Sequence, residues 1–176
     1  MIFSMRWMLL LLAVTAVACR TRIQTERDSR VYGGVALSGL PDVGGSLIAG
    51  QWFSKATARY DFAFELRGTY QRGEDSPTQD GRFFQIQAGA KQITSPGHKS
   101  RWAFRYGATW FRATGKPNVI DKPGDYFGAF GSVGYEWYLT PRLLLGPEAT
   151  INIINGEGSI GWDFLPQVSL NLLFDF

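Results

Sequence analysis

The feature that most constrains this chain is an alternation of apolar and polar residues that recurs along most of its length. In residues 60–71, nearly every second side chain is large and apolar, and the side chains between them are polar or charged. The same pattern recurs in residues 83–93, 102–112, 126–138, 143–154 and 160–176. A period of two places successive side chains on opposite faces of a β-strand. Two weaker segments, near 30–38 and 46–53, bring the number of predicted strands to eight and make the predicted fold class all-β.

The contrast between the two faces favours a membrane barrel over a soluble β-sandwich. The apolar face is bulky and aromatic, and the polar face is small or charged; aromatic residues make up 15% of the chain and charged residues 19%. Lipid outside and a narrow polar lumen inside would require this arrangement. The segments are near or above the ~9–11 residues that a tilted strand needs to cross a bilayer. Residues 30–176 are therefore predicted to form an eight-stranded antiparallel up-and-down transmembrane β-barrel.

Aromatic residues concentrate near the predicted strand ends, where the two lipid–water interfaces favour them. One predicted girdle contains Trp52, Tyr60, Trp102, Tyr135 and Trp137, and the other contains Tyr70, Phe84, Trp110, Phe127 and Trp162. The connections are predicted to alternate between long outer loops, at 72–81 and 114–125, and short periplasmic turns such as 139–142. Pro147 and Pro166 fall inside predicted strands, and because each lacks a backbone donor we expect bulges there.

The N-terminus reads as an export signal. Residues 7–18 form an apolar run that is interrupted only by Thr15 and is too short to span a bilayer as a helix. The small residues Ala16 and Ala18 stand directly before Cys19, the only cysteine of the chain, so no internal disulfide can form. We expect residues 1–18 to be a signal peptide and 19–29 to be a polar tether. The Ala-Val-Ala-Cys sequence resembles a lipobox, which implies cleavage before Cys19 and lipidation of its thiol.

The C-terminal residues carry a second resemblance. The chain ends with alternating apolar residues and a terminal Phe176, and residues 134–143 read Gly-Tyr-Glu-Trp-Tyr-Leu-Thr-Pro-Arg-Leu. The chain thereby resembles the small eight-stranded outer-membrane barrels of bacteria, the OmpA-like and opacity-like group. The resemblance implies a location in the outer membrane and recognition of Phe176 by the barrel assembly machinery. It implies a fold and a location, and no activity.

Seven ionisable residues share the inward-facing parity of the predicted strands: Asp61, Glu65, Arg67, Lys91, Arg105, Glu136 and Glu148. Isolated charges in a narrow lumen would be costly, so these residues are expected to pair. Such a lumen could conduct ions or could be filled by salt bridges. The interior of an eight-stranded barrel is just wide enough for side chains to fill, which favours the salt bridges.

Two features suggest other functions. His98, the only histidine, stands two residues before Ser100, and a Ser–His pair resembles the site of lipid A deacylase barrels. The predicted topology places His98 in a periplasmic turn, on the far side from lipid A. The sequence Gly50-Gln51-Trp52 resembles the Gly-x-Trp of lipocalins, which would make this a soluble lipid-binding lipoprotein.

The function that fits these observations best is non-enzymatic. A small outer-membrane barrel would meet outer-membrane lipid, lipopolysaccharide, a surface or a partner through its outer loops. The net charge is only +3 with no basic stripe, so nucleic-acid binding has no support. No catalytic residue, metal ligand or cofactor site is expected, and the oligomeric state is left open. The competing classes are a lipid A-modifying enzyme, a narrow pore and a lipocalin-like carrier.

Overall fold

The computed structural model describes residues 31–40, 43–53, 61–76, 79–94, 99–114, 123–156 and 162–176. These residues form eight strands in chain order. The strands are β1 (Val31–Leu40), β2 (Val43–Trp52), β3 (Asp61–Ser76), β4 (Gln79–Ile93), β5 (Ser100–Thr114), β6 (Gly124–Tyr138), β7 (Leu143–Gly156) and β8 (Asp163–Asp175). Among the described residues, no helix is long and apolar enough to cross a bilayer.

Each strand pairs antiparallel with the next, and β8 pairs with β1 to close the barrel. The predicted all-β, eight-stranded antiparallel fold is therefore confirmed. The amide of Phe176 donates to the carbonyl oxygen of Val31 over 3.0 Å, so the first and last described residues meet at one end. We name this the terminal end and the opposite one the distal end.

Alternation of burial follows the alternation of the sequence. From Leu165 to Phe176 the side chains are buried and exposed in strict turn, with Asn171 inside and Leu172 outside. The exposed face is apolar and the buried face is largely polar, which is the reverse of a soluble protein and the arrangement of a barrel surrounded by lipid.

Two aromatic belts surround the outside. At the distal end, Tyr70 pairs with Phe84, and the Phe84 and Trp110 rings meet edge to face with centroids 6.0 Å apart. At the terminal end, the Trp102 and Tyr135 rings are 4.9 Å apart. These five residues belong to the two predicted girdles and lie at the corresponding ends of the barrel.

The placement of Trp52 in a lipid-facing girdle is wrong. Trp52 is only 6% exposed and its ring lies 5.1 Å from that of Tyr32, on the inward face. Tyr60, which was assigned to the same girdle, lies outside the described residues. An aromatic residue near a strand end can close the lumen as well as mark the interface, and its position along the chain does not distinguish the two.

Connection lengths also differ in part from the prediction. Segment 72–81 is mostly strand, because β3 continues to Ser76 and β4 begins at Gln79. The tight turn at 139–142 is confirmed: the amide of Leu139 donates to the carbonyl oxygen of Leu143 over 2.8 Å. Hairpin β3–β4 therefore extends the barrel wall beyond the short β1–β2 hairpin as ordered sheet.

The bulges predicted at Pro147 and Pro166 are absent from the described strands. The β7–β8 ladder passes through both residues without a shift in register. The β6–β7 ladder has instead no pair between Gly134–Glu148 and Trp137–Leu145, beside Pro147. A missing donor thus interrupts the pairing there without adding a residue to the strand.

Two glycines on β4 and β5 face backbone atoms of the neighbouring strand at very short range. A Cβ atom at Gly89 would lie 2.2 Å from the carbonyl oxygen of Tyr106, and one at Gly107 would lie 2.2 Å from that of Ala88. Gly89 and Gly107 are partners in the ladder. At either position a residue with a Cβ would clash with the backbone of the neighbouring strand, so the structure requires glycine at both.

Candidate functional site: the charged lumen and the distal rim

The interior of the barrel is layered. Near the terminal end lies a buried apolar cluster of Tyr32, Ala36, Ile48, Trp52, Ala63, Ile93, Ala103, Leu144 and Leu173. Near the distal end lies a second cluster of Phe83, Phe111, Ala113, Tyr126, Ile154 and Leu165. Charged and amide side chains fill the space between them, so the polar layers of the lumen have an apolar cluster on either side.

Glu136 on β6 holds the charged layer nearest the terminal end. Its Oε1 accepts a hydrogen bond from Lys91 Nζ at a distance of 2.5 Å, and its Oε2 accepts one from Arg101 Nε at 2.7 Å. Arg101 also donates to the hydroxyl of Tyr138 over 2.6 Å, and its guanidinium lies 5.5 Å from the ring of Trp52. One carboxylate thus pairs with two cations, which come from strands β4 and β5.

Glu65 on β3 forms the next layer. Its Oε1 accepts from Arg105 Nη1 over 2.6 Å, and its Oε2 accepts from the hydroxyl of Tyr32 over 2.7 Å. Tyr32 can reach it because a Cβ on Gly50, its ladder partner, would lie 2.1 Å from the tyrosine ring. Lys91 Nζ lies 3.9 Å from Glu65 Oε2 and so links the Glu65 and Glu136 layers.

Glu148 on β7 completes the charged part of the lumen. Arg105 Nη2 donates to its Oε1, and Arg67 Nη2 donates to its Oε2 over 3.0 Å. The side-chain amide of Asn171 donates to the same Oε2 over 2.5 Å. Arg105 therefore bridges two acids from opposite parts of the chain, Glu65 and Glu148.

An amide layer follows toward the distal end. Asn152 Oδ1 accepts from both Gln85 and Gln87 over 2.9 Å, and Gln167 donates to Gln85 over 2.9 Å. These bonds join β4 to β7 and β8 directly across the lumen. Side chains from opposite walls are thus in contact, and they occupy the interior at this level.

All seven ionisable residues predicted to face inward are buried, and six of them share the salt bridges described above. The seventh, Asp61, is buried at the terminal end of β3. Sequence reasoning missed Arg101, which has the parity of Arg105 but precedes the start of the predicted strand. It also missed the hydroxyl of Tyr32, because the alternation in segment 30–38 is too weak to assign its residues to a face.

The network has little access to solvent. None of the salt-bridged residues Glu65, Arg67, Lys91, Arg101, Arg105, Glu136 and Glu148 is more than 5% exposed. Few polar atoms are left unsatisfied: among the described residues these include Nε of Arg67 and of Arg105, and both amide atoms of Gln71. A carboxylate held by two cations has little capacity to act as a base or a metal ligand, so the arrangement suits a structural role.

The outward face at the distal rim is also charged. Arg112 lies two residues beyond Trp110 on β5 and forms a two-pronged ion pair with Asp125 on β6, with both N–O distances at 2.9 Å. Its guanidinium also lies 5.5 Å from the Trp110 ring. Arg72 on β3 and Arg82 on β4 are ladder partners, and both are exposed on the same outer face.

Three further predicted residues are Cys19, His98 and Phe176. Cys19 and His98 lie outside the described residues, so their roles stay predictions. Phe176 is 66% exposed and packs on Phe174 with ring centroids 5.1 Å apart. It is therefore on the outer surface at the terminal end, beside β1.

Comparison with protein families finds no match, and comparison with curated protein sequences finds none. Solved structures do match. Neisserial surface protein A (NspA) superimposes with a TM-score of 0.56 at 17% identity, covering 83% of this chain and 93% of that one. Ail, the attachment invasion locus protein of Yersinia pestis, solved in complex with the heparin analogue sucrose octasulfate, gives 0.56 at 14% identity, covering 86% and 99%. Both likenesses support the fold.

Proposed function

We propose that this protein is a non-enzymatic barrel of the bacterial outer membrane whose lumen is structural and whose distal end makes the interactions. In this proposal the terminal end faces the periplasm and the distal end faces outward. Residues 1–18 direct export, and Cys19 carries a lipid anchor ahead of the tether 20–29. The barrel assembly machinery recognises the strand that ends in Phe176.

The observation that carries the proposal is a buried lumen whose charged side chains pair with one another. Three glutamates and four basic residues form salt bridges with one another between two apolar clusters, and none of the seven is more than 5% exposed. A water-filled pore would leave these charges exposed, and a lipocalin-like cavity would be lined by apolar side chains. What remains available for recognition is the distal end, where β3 to β6 continue beyond the aromatic belt.

The polar chemistry of that end suits anionic partners. Arg72, Arg82 and Arg112 are exposed there on three consecutive strands. Ail, which has the same fold, was solved with a polysulfated ligand. Anion binding at the outer surface is therefore the interaction that we favour for this barrel.

Two measurements together test this proposal: heat-dependent migration on a gel for the closed barrel, and ion conductance in a planar bilayer for the lumen. The purified protein should migrate differently on a gel before and after boiling, because a closed barrel has no free edge from which to unfold. Reconstituted in a planar lipid bilayer, it should give no stepwise ion conductance. A monomer that stays soluble without detergent would refute the membrane assignment, and regular conductance steps would refute the structural role of the lumen.

A further inference from the structure

Three arginines form a row on the outer face of the barrel, just beyond the distal aromatic belt. Two residues after Tyr70 on β3 comes Arg72, and two after Trp110 on β5 comes Arg112; Arg82 precedes Phe84 by two on β4. All three are exposed on the outward face. Two residues of strand rise about 6.6 Å, and less when the strand is tilted, which corresponds to the headgroup level if the belt marks the edge of the hydrocarbon.

The three guanidinium groups belong to neighbouring positions. Arg72 and Arg82 are direct partners in the β3–β4 ladder, and Phe84, two residues from Arg82, is the partner of Arg112. Like charges directly opposite each other destabilise a sheet unless something neutralises them. Arg72 and Arg82 each have a contact within the chain as well. The case for an anion therefore depends on there being three guanidinium groups at neighbouring positions on the same face.

One acidic residue stands to the side of this row: Asp125 on β6 pairs with Arg112. Along hairpin β3–β4 the order from the belt outward is aromatic, then basic. A membrane whose phosphate groups lie at the edge of the hydrocarbon complements the basic level.

We propose that Arg72, Arg82 and Arg112 together bind the phosphate groups of a phosphorylated glycolipid in the outer leaflet, an inference that rests on the membrane assignment above. The planar guanidinium presents a fork of donors that matches phosphate oxygens. Arg112 already binds Asp125 through Nε and Nη2, so the part of its guanidinium that is open to phosphate is the Nη1 side. The ligand is a lipid because the row faces sideways, on the same face as the aromatic belt, and not into the lumen or toward bulk water.

The test uses the full barrel in nanodiscs and bisphosphorylated lipid A as the probe, with bound lipid counted by native mass spectrometry. We expect the triple variant Arg72→Gln, Arg82→Gln, Arg112→Gln to lower the affinity for lipid A by about ten-fold or more. Dephosphorylated lipid A should bind wild type and variant equally weakly. The matched control is Lys99→Gln with Arg142→Gln, which removes two exposed cations at the terminal end and should change nothing.

The other possible results of this experiment each overturn one part of the proposal or act as a control. Equal affinity of the triple variant and wild type for lipid A would overturn the inference, and inorganic polyphosphate binding as tightly as lipid A would overturn the lipid source. A triple Arg→Lys variant, which keeps the charge and loses the fork, should fall between the two and guards against misfolding of the glutamine variant. Loss of heat-dependent gel migration in wild type would instead refute the membrane assignment itself.

Discussion

Replacing Glu136 with glutamine should destabilise the barrel more than any comparable change at its surface. Glu136 is the carboxylate that holds Lys91 and Arg101 in the lumen, at 2.5 and 2.7 Å. All three side chains are almost fully buried. Glutamine preserves the shape and one acceptor oxygen, so it can satisfy one cation while presenting a donor to the other.

The size of the effect follows from this geometry. Removing one partner of a buried ion pair typically costs ~3–5 kcal/mol, because the remaining charge is left unpaired. Lys91 lies 3.9 Å from Glu65 and can turn toward it, which offsets part of the loss. We therefore expect the lower part of that range, about 3 kcal/mol, which is a large share of the ~5–15 kcal/mol that keeps a typical protein folded.

Urea-driven unfolding from lipid vesicles, followed by the shift of folded protein on a gel, would measure this difference. The matched control is Asp125→Asn, which removes an acid of the same valence from the exposed pair with Arg112 and should leave the midpoint nearly unchanged. Adding Lys91→Met to Glu136→Gln removes the orphaned cation. The double variant should be destabilised by at least ~1 kcal/mol less than the sum of the single variants.

Equal effects of Glu136→Gln and Asp125→Asn would show that the lumen is hydrated and the pair is screened. Strict additivity in the double variant would show that Lys91 and Glu136 do not interact. Either result would refute the reasoning from burial and distance.

Three further predictions address closure, assembly and chemistry. Gly89→Ala should sharply reduce the yield of folded barrel in detergent, whereas Gly68→Ala, where a Cβ has nothing within 4 Å, should fold like wild type; equal yields would contradict the close approach of β4 and β5. Phe176→Ala should lower the amount of barrel assembled in cells while leaving refolding in detergent intact, as measured by heat-dependent migration; equal loss in both would make Phe176 purely structural. His98→Ala should leave lipid A composition unchanged by mass spectrometry, and an acyl chain lost only with wild type would reveal a deacylase.

The strands and their facing were predictable because a period of two is a local property. In β8, Leu170 and Leu172 alternate with Ser169 and Asn171, and the structure places them outside and inside accordingly. Eight such segments, long enough to cross a bilayer, leave few alternatives to a closed barrel.

The contacts inside were less predictable, because they depend on closure and stagger. Arg67 and Glu148 are 81 residues apart and meet only when β3 and β7 face each other across the lumen. The position of each residue in the alternating pattern indicates that both side chains point inward. It does not indicate which partner each side chain contacts. Phe83 and Phe111 were harder still, since bulky apolar side chains at inward positions contradict the pattern of the strands that carry them.

Two native tryptophans can report whether lipid lies against the aromatic face of the barrel and protein fills its inside. Trp102 is 51% exposed on the outer face and Trp52 is 6% exposed in the lumen, and both lie near the terminal end. Two proteins that each retain only one of them, with phenylalanine at every other tryptophan, would be placed in bilayers of lipids with brominated acyl chains. Lipid on the outer face should quench Trp102 fluorescence strongly and Trp52 fluorescence little. Stronger quenching of Trp52 than of Trp102, or no quenching of either, would contradict this arrangement.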